Sequence, residues 1–207
     1  MIVAVDYKAG NLTSVQLAFE HLGEKVLITD KPGDILRAER VVFPGVGAAG
    51  AAMANLRSLG LIEPIREVIE RGTPFLGICI GIQLLLGYSD EDGGVECTGI
   101  VKGRAKKFSS ADPMCKIPQM GWNGLSFTRS HPLLEGIENQ SEFYFVHSYY
   151  PAVEDESIVI GRTDYADVNF AAMIARGNLA AVQFHPERSG RIGLKMLANF
   201  AKWEGTC

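Results

Sequence analysis

Cysteine is scarce in this chain and never paired. Cys79, Cys97, Cys115 and Cys207 are the full set, and no two stand at Cys-x-x-Cys spacing. That spacing marks structural zinc sites and redox dithiols, so neither is indicated and no metal or cofactor is expected. An excess of positive charge is missing too. Twenty Lys and Arg against 24 Asp and Glu leave a net charge of −4, with no electrostatic footprint for nucleic acid or an anionic membrane. No apolar run is long enough to cross a bilayer. The opening Met1-Ile2-Val3-Ala4-Val5-Asp6 lacks the basic segment of a signal peptide and reads as a strand. Unpaired thiols without an export signal point to a reducing cytoplasm. With only four histidines, few side chains can serve as a base near neutral pH.

What is present is the composition of an ordinary globular protein, 47% hydrophobic and 21% charged. The 207 residues suit one domain over 1–207 with a sizeable core. In the first half, strand patterns at 2–5, 25–29, 40–43 and 74–78 alternate with helical ones. The helices fall at 10–22, closed by Gly23, near 49–57, at 61–71 and at 80–86. Lys31-Pro32-Gly33 reads as a breaker. The expected fold class is therefore α/β, a mostly parallel central sheet flanked by helices. Strand-like pieces dominate 93–174, at 99–108, 124–127, 142–146, 157–163 and 169–174. They predict an additional, partly antiparallel sheet in the second half. A last strand at 177–184 and an amphipathic helix at 191–203 complete the chain.

The chemistry gathers around residues 74–86. A buried strand and a helix meet at Gly77-Ile78-Cys79-Ile80-Gly81. Small residues two positions either side of Cys79 let strand and helix pass closely. The central residue is then held in a strained turn with its side chain exposed, the geometry of a nucleophile elbow. The positive end of the following helix favours the thiolate, the reactive form. A buried structural cysteine is the competing reading.

A cysteine nucleophile needs a base, a group that orients it, and an oxyanion hole. His185 and Glu187, two apart at the end of the last strand in Gln183-Phe184-His185-Pro186-Glu187, face the same way on an extended chain. The carboxylate can then fix the imidazole tautomer. An exposed strand-end turn explains the same residues. His147 is the rival base but has no carboxylate beside it, His21 closes the first helix, and His131 precedes Pro132 in a turn. Val46, in Pro44-Gly45-Val46-Gly47, and Ile80 are the candidate backbone N–H donors to an oxyanion. Glycines at 45 and 47 would allow the Gly45–Val46 peptide two orientations, only one of which completes the hole.

Together, Gly77-Ile78-Cys79-Ile80-Gly81-Ile82-Gln83, Gln183-Phe184-His185-Pro186-Glu187 and Pro44-Gly45-Val46-Gly47 resemble class I, triad-type glutamine amidotransferases across essentially the whole chain. Pro118-Gln119-Met120-Gly121-Trp122-Asn123 and the stretch from Tyr144 to Tyr150 look like the branch that serves imidazole glycerol phosphate synthases. The resemblance implies that Cys79 attacks a glutamine carboxamide and forms a thioester, with His185 and Glu187 completing the triad. It implies that Gly47, Gln83, Glu91, Ser148 and Tyr149 hold the glutamine, Glu91 by pairing with its ammonium. It further implies a heterodimer in which ammonia passes to a (β/α)₈-barrel cyclase subunit, with Trp122, Tyr144 and Arg188 near the interface. A core tryptophan and a solvated arginine are the plainer alternatives there. A sister glutaminase serving an anthranilate-type or aminosugar-modifying synthase shares the triad. Ile80 stands where Leu is usual, Gly87-Tyr88 replaces a Phe-Glu-Arg-like segment, and Arg188 replaces Lys. The glycine implies that the helix after the elbow ends early.

Overall fold

The computed structural model describes residues 1–9 and 12–206. Gly10-Asn11, the expected start of the first helix, and Cys207 lie outside them. The strands are β1 (Ile2–Val5), β2 (Val26–Thr29), β3 (Arg40–Gly45), β4 (Phe75–Cys79), β5 (Tyr88–Ser89), β6 (Val95–Glu96), β7 (Gly103–Lys107), β8 (Gln119–Gly124), β9 (Ser126–Phe127), β10 (Glu142–His147), β11 (Tyr149–Val153), β12 (Val159–Tyr165), β13 (Val168–Arg176) and β14 (Leu179–Val182). The α-helices are α1 (Leu12–His21), α2 (Pro32–Leu36), α3 (Ala49–Ser58), α4 (Ile62–Glu70), α5 (Ile80–Leu85) and α6 (Gly190–Lys202). No helix among the described residues is long and apolar enough to cross a membrane.

The central sheet runs β2-β1-β3-β4-β14-β13-β12-β9. Its first five strands are parallel and its last three antiparallel. The α/β class holds, but the antiparallel strands of the second half mostly extend this one sheet. Two small sheets stand beside it, β10-β8 and β11-β7-β5-β6. Alternation along the inner strands explains why both faces are covered. Val41 and Phe43 of β3 join Met53 and Leu56 of α3 and Ile65 and Val68 of α4. Val42 between them faces the other way, with Leu76 and Ile78 of β4, Phe19 of α1 and Leu197 and Phe200 of α6.

One element departs from expectation for a local reason, and another ends early as Gly87 implies. Pro32 does not break the chain but stands at the first position of α2, where its missing N–H would have no partner anyway. The helix after the elbow ends at Leu85, and Leu86 is already extended (φ −70°, ψ 173°). Gly23 closes α1 with φ +79°, in the left-handed region that glycine enters freely.

Candidate active site

β3, β4 and β14 are neighbours in the parallel part of the sheet, and their carboxyl ends define the site. Gly45 pairs with Cys79 and Val182 with Ile78. The segments that run on from these ends therefore come together, where a parallel sheet places its reactive groups.

The elbow is strained as its glycines imply. Cys79 sits at φ 56°, ψ −110°, a conformation that costs a non-glycine residue about 1–3 kcal/mol. A Cβ on Gly81 would lie 2.1 Å from the Phe43 carbonyl oxygen, so α5 crosses β3 at backbone contact. The cysteine side chain is not exposed, however: it is 5% accessible, at the floor of a cavity of about 290 Å³. The Val146 carbonyl lies 4.0 Å from the sulfur and Gln183 Nε2 3.9 Å from it. At six residues α5 carries less field than a long helix.

His185 and Glu187 are together, with Nδ1 to Oε1 at 2.6 Å and both side chains nearly inaccessible. Burial opposes the charged imidazolium. The adjacent Cys79 sulfur, and after it Glu187, outweigh burial and push the imidazole up to about 10. Nε2 has no partner at full hydrogen-bond geometry, yet the Cys79 sulfur is near enough to raise the imidazole both by charge and by a loose hydrogen bond. Catalytic contacts are often loose without substrate. The pair does not line the main cavity; with Arg188 it borders a smaller recess shared with Pro44, Gly45 and Val46.

His147 lines the main cavity. Burial is the chief cause that drives it down to about 4, with the nearby His185 adding to the lowering. Its Nδ1 is 2.7 Å from the Tyr149 carbonyl, which can only accept, so Nδ1 carries the proton. Neutral and without a carboxylate, it lacks what His185 has.

Three comparisons bear on this arrangement. The family model for glutamine amidotransferase class-I matches residues 3–203. The chain belongs to the class I glutamine amidotransferases. Proteins named imidazole glycerol phosphate synthase subunit HisH are 48% identical in Herpetosiphon aurantiacus (98% of this chain, 94% of the relative) and 49% identical in Moorella thermoacetica (97% and 94%). One from Methanocaldococcus jannaschii is 45% identical (98% and 99%). Among solved structures, a glutamine amidotransferase superposes with TM-score 0.75 at 17% identity, covering 98% of both chains. A PurLQS structure from Thermotoga maritima gives TM-score 0.74 at 22% identity, covering 97% of both. At those identities the structures speak to the fold alone.

In this amidotransferase the cavity is lined by Val46, Gly47, Ile80, Gln83, Glu91, Ser148 and Tyr149, every residue the sequence assigned to the oxyanion hole or the glutamine. Glu91 is not a solvated acid, since one oxygen accepts the Ala49 N–H at 2.6 Å at the start of α3. Gly47 occupies the left-handed region at φ +100°. Gly45 does not. Its need is space, because a Cβ there would lie 1.7 Å from the Tyr7 hydroxyl and 2.6 Å from Ile80 Cγ2. Trp122, Tyr144 and Arg188 form one surface stack. Trp122 is 53% exposed, its ring is 6.0 Å from that of Tyr144, and the Arg188 guanidinium sits 4.7 Å over the Tyr144 ring. That exposure rules out a core tryptophan, while Arg188 is itself exposed and meets Tyr144 at the surface. His147, the rival base in the sequence, also lines the cavity, as do Val146 and Pro118, which sequence reasoning did not place there. The alternation of β10 puts Phe143, Phe145 and His147 inward, a period visible in the sequence for His147 but not for the other two wall residues.

Proposed function

We propose that this chain is the glutaminase subunit of an imidazole glycerol phosphate synthase, hydrolysing glutamine and passing ammonia to a (β/α)₈-barrel cyclase in histidine biosynthesis. The observation that carries the chemistry is a strained, pocket-floor cysteine beside a buried His–Glu pair. Identity of 45–49% to the named relatives, over nearly the full chain, supports the branch.

The geometry supports the following sequence. The Cys79 thiolate adds to the carboxamide carbon of glutamine, and the Ile80 and Val46 N–H groups receive the oxyanion. The His185 imidazolium gives its proton to the leaving nitrogen. The C–N bond breaks, and ammonia and a thioester remain. The sulfur is now uncharged, so the largest influence raising the His185 pKa is gone. Burial then favours neutral imidazole, which takes a proton from water as the water adds to the thioester. Collapse expels the thiolate and releases glutamate. One residue thus serves as acid and then as base because its neighbour changes charge. Glu187 keeps Nδ1 protonated throughout. The substrate's ammonium meets Glu91, and the wall at Gly47, Gln83, Ser148 and Tyr149 seats the rest. The exposed Trp122–Tyr144–Arg188 stack, with Met120 (67% exposed) on the same strand as Trp122, supports a partner face there.

The test is to mix the chain with a candidate cyclase subunit and follow glutamate release with and without the nucleotide substrate. Release that depends on the partner, and that Cys79→Ala abolishes while synthesis from ammonium salts persists, is expected. Parent-rate release by Cys79→Ala would overturn the assignment.

A further inference from the structure

The motif around His185 contains a residue that the proposed steps leave unused. Gln183 is completely buried (0% exposed), two residues before His185, with its side chain against the sulfur of Cys79. A buried carboxamide has two N–H groups and an oxygen to satisfy, and its orientation must be deduced from its partners.

The partners leave one solution. The Tyr149 main-chain carbonyl can only accept, so Gln83 turns Nε2 to it at 2.9 Å. The same Nε2 donates its other proton to Gln183 Oε1 at 2.9 Å. With its oxygen committed there, Gln183 presents Nε2 to Cys79 Sγ at 3.9 Å. Rotating the Gln83 amide would set oxygen against the Tyr149 carbonyl. Rotating that of Gln183 would set N–H against N–H. An acceptor two residues away in the relay therefore dictates that a donor faces the sulfur.

The geometry points to Gln183 as a donor that holds Cys79 as the thiolate, its orientation locked from the cavity wall by Gln83 and the Tyr149 carbonyl. This rests on Cys79 being the nucleophile. Hydrogen bonding to the charged form of a group favours that form. The contact is at the long end for sulfur; the neighbouring His185 favours the same charged form, and the Val146 carbonyl, an acceptor 4.0 Å from the sulfur, favours the thiol, so losing the donor is expected to change Cys79 reactivity by about tenfold. Gln83 belongs both to this relay and to the glutamine-facing wall, which ties the seating of substrate to the charge of the sulfur.

The experiment is iodoacetamide alkylation of the intact chain across pH, with mass spectrometry counting Cys79 apart from Cys97 and Cys115. Gln183→Glu keeps the shape but removes the donor. Gln183→Met removes the whole amide. Gln83→Met removes only the lock. The Cys79 profile is expected to move to higher pH by about one unit in Gln183→Met and further in Gln183→Glu, where a carboxylate adds like charge. It moves the same way in Gln83→Met, although that side chain does not touch the sulfur, while the Cys97 profile stays put. A residue that only fills space would change melting temperature and leave the profile alone. An unchanged profile in a folded Gln183→Glu variant overturns the inference. If the Gln183 variants do not fold, an unchanged profile in Gln83→Met overturns it. If Cys79 of the parent is alkylated no faster than Cys97, it is the nucleophile assignment that fails.

Discussion

The two glycines of the elbow look equivalent in sequence, and the structure makes them unequal. Gly81→Ala would place a Cβ 2.1 Å from the Phe43 carbonyl oxygen, more than about 1 Å inside van der Waals contact. Neither partner can yield by changing rotamer, because the obstacle is main chain. Phe43 is fully buried in β3 and paired with Gly77 of β4, its ring packed between Tyr7 and Phe75. Relief must come from moving α5, and with it the Ile80 N–H and Cys79. Gly77→Ala meets Ala181 Cβ at 3.0 Å, Leu85 Cδ1 at 3.1 Å and the Gly81 main-chain carbon at 3.3 Å, tight contacts that a shift of a few tenths of an ångström relieves. Overpacking costs about 1–3 kcal/mol, and we expect about 3 kcal/mol for Gly81→Ala and about 1 kcal/mol for Gly77→Ala. For a chain of this size that is a melting-temperature loss of about 6–12 °C against about 2–4 °C. A displacement of about 1 Å at the nucleophile also costs about 10²-fold in turnover, so glutamate release in the partner complex falls sharply only for Gly81→Ala. Urea denaturation and the glutamate assay, run on both variants, decide the matter. Equal destabilisation, or a Gly81→Ala variant within about 0.5 kcal/mol of the parent, refutes the reasoning.

Three further outcomes are expected. His185→Asn should lower glutamate release by about 10²- to 10⁴-fold, the loss of a positioned base, and His147→Asn by much less; equal losses would remove the reason for assigning His185. Stability should fall as pH drops from about 6.5 toward 4, because the unfolded chain takes up a proton that buried His147 refuses, a loss on the order of 3 kcal/mol from that residue. His131, also held down to about 4, adds in the same direction, whereas His185 contributes stability that is full below about 6.5 and lost as pH rises through about 10; flat urea midpoints between pH 7 and 4.5 would contradict this. Val46→Pro deletes one oxyanion donor and should cost about 10²- to 10³-fold of partner-stimulated glutamate release without unfolding the chain, and normal stimulation of a folded variant would rule that donor out.

The alternation of strands and helices in the first half, the elbow, and the His185–Glu187 pair were legible because each is written in neighbouring residues. A glycine two positions from a cysteine constrains that cysteine's own backbone, and a carboxylate two positions from a histidine on extended chain shares its face. β11 was missed because Tyr149–Val153 contains Pro151 and pairs only with β7, at the edge of a small sheet. Proline is tolerated there, but in sequence it argues against a strand. β8 was legible as a motif and not as a strand, since Gly121 and Gly124 interrupt the apolar period.

The glutamine-holding wall of the cavity, Gly47, Gln83, Glu91, Ser148 and Tyr149, was legible only through resemblance, and the reason is distance along the chain. Gln83 and Gln183 are 100 residues apart, Glu91 and Ala49 are 42 apart, and Cys79 and Val146 are 67 apart. Each contact depends on strand register, which no local motif encodes. Gly45 carries a demand that its turn does not reveal. Two glycines flanking Val46 suggested backbone freedom, yet only Gly47 is at positive φ, while Gly45 makes room for the Tyr7 hydroxyl and Ile80. That hydroxyl has no partner although it is buried, a state that costs about 1–3 kcal/mol. The segment carrying the Val46 donor is therefore braced on one side by a tyrosine and by the residue that carries the other donor. A Cβ at 45 would push on both at once, so glycine there is a demand of the assembled site and could not have been deduced from the turn that contains it.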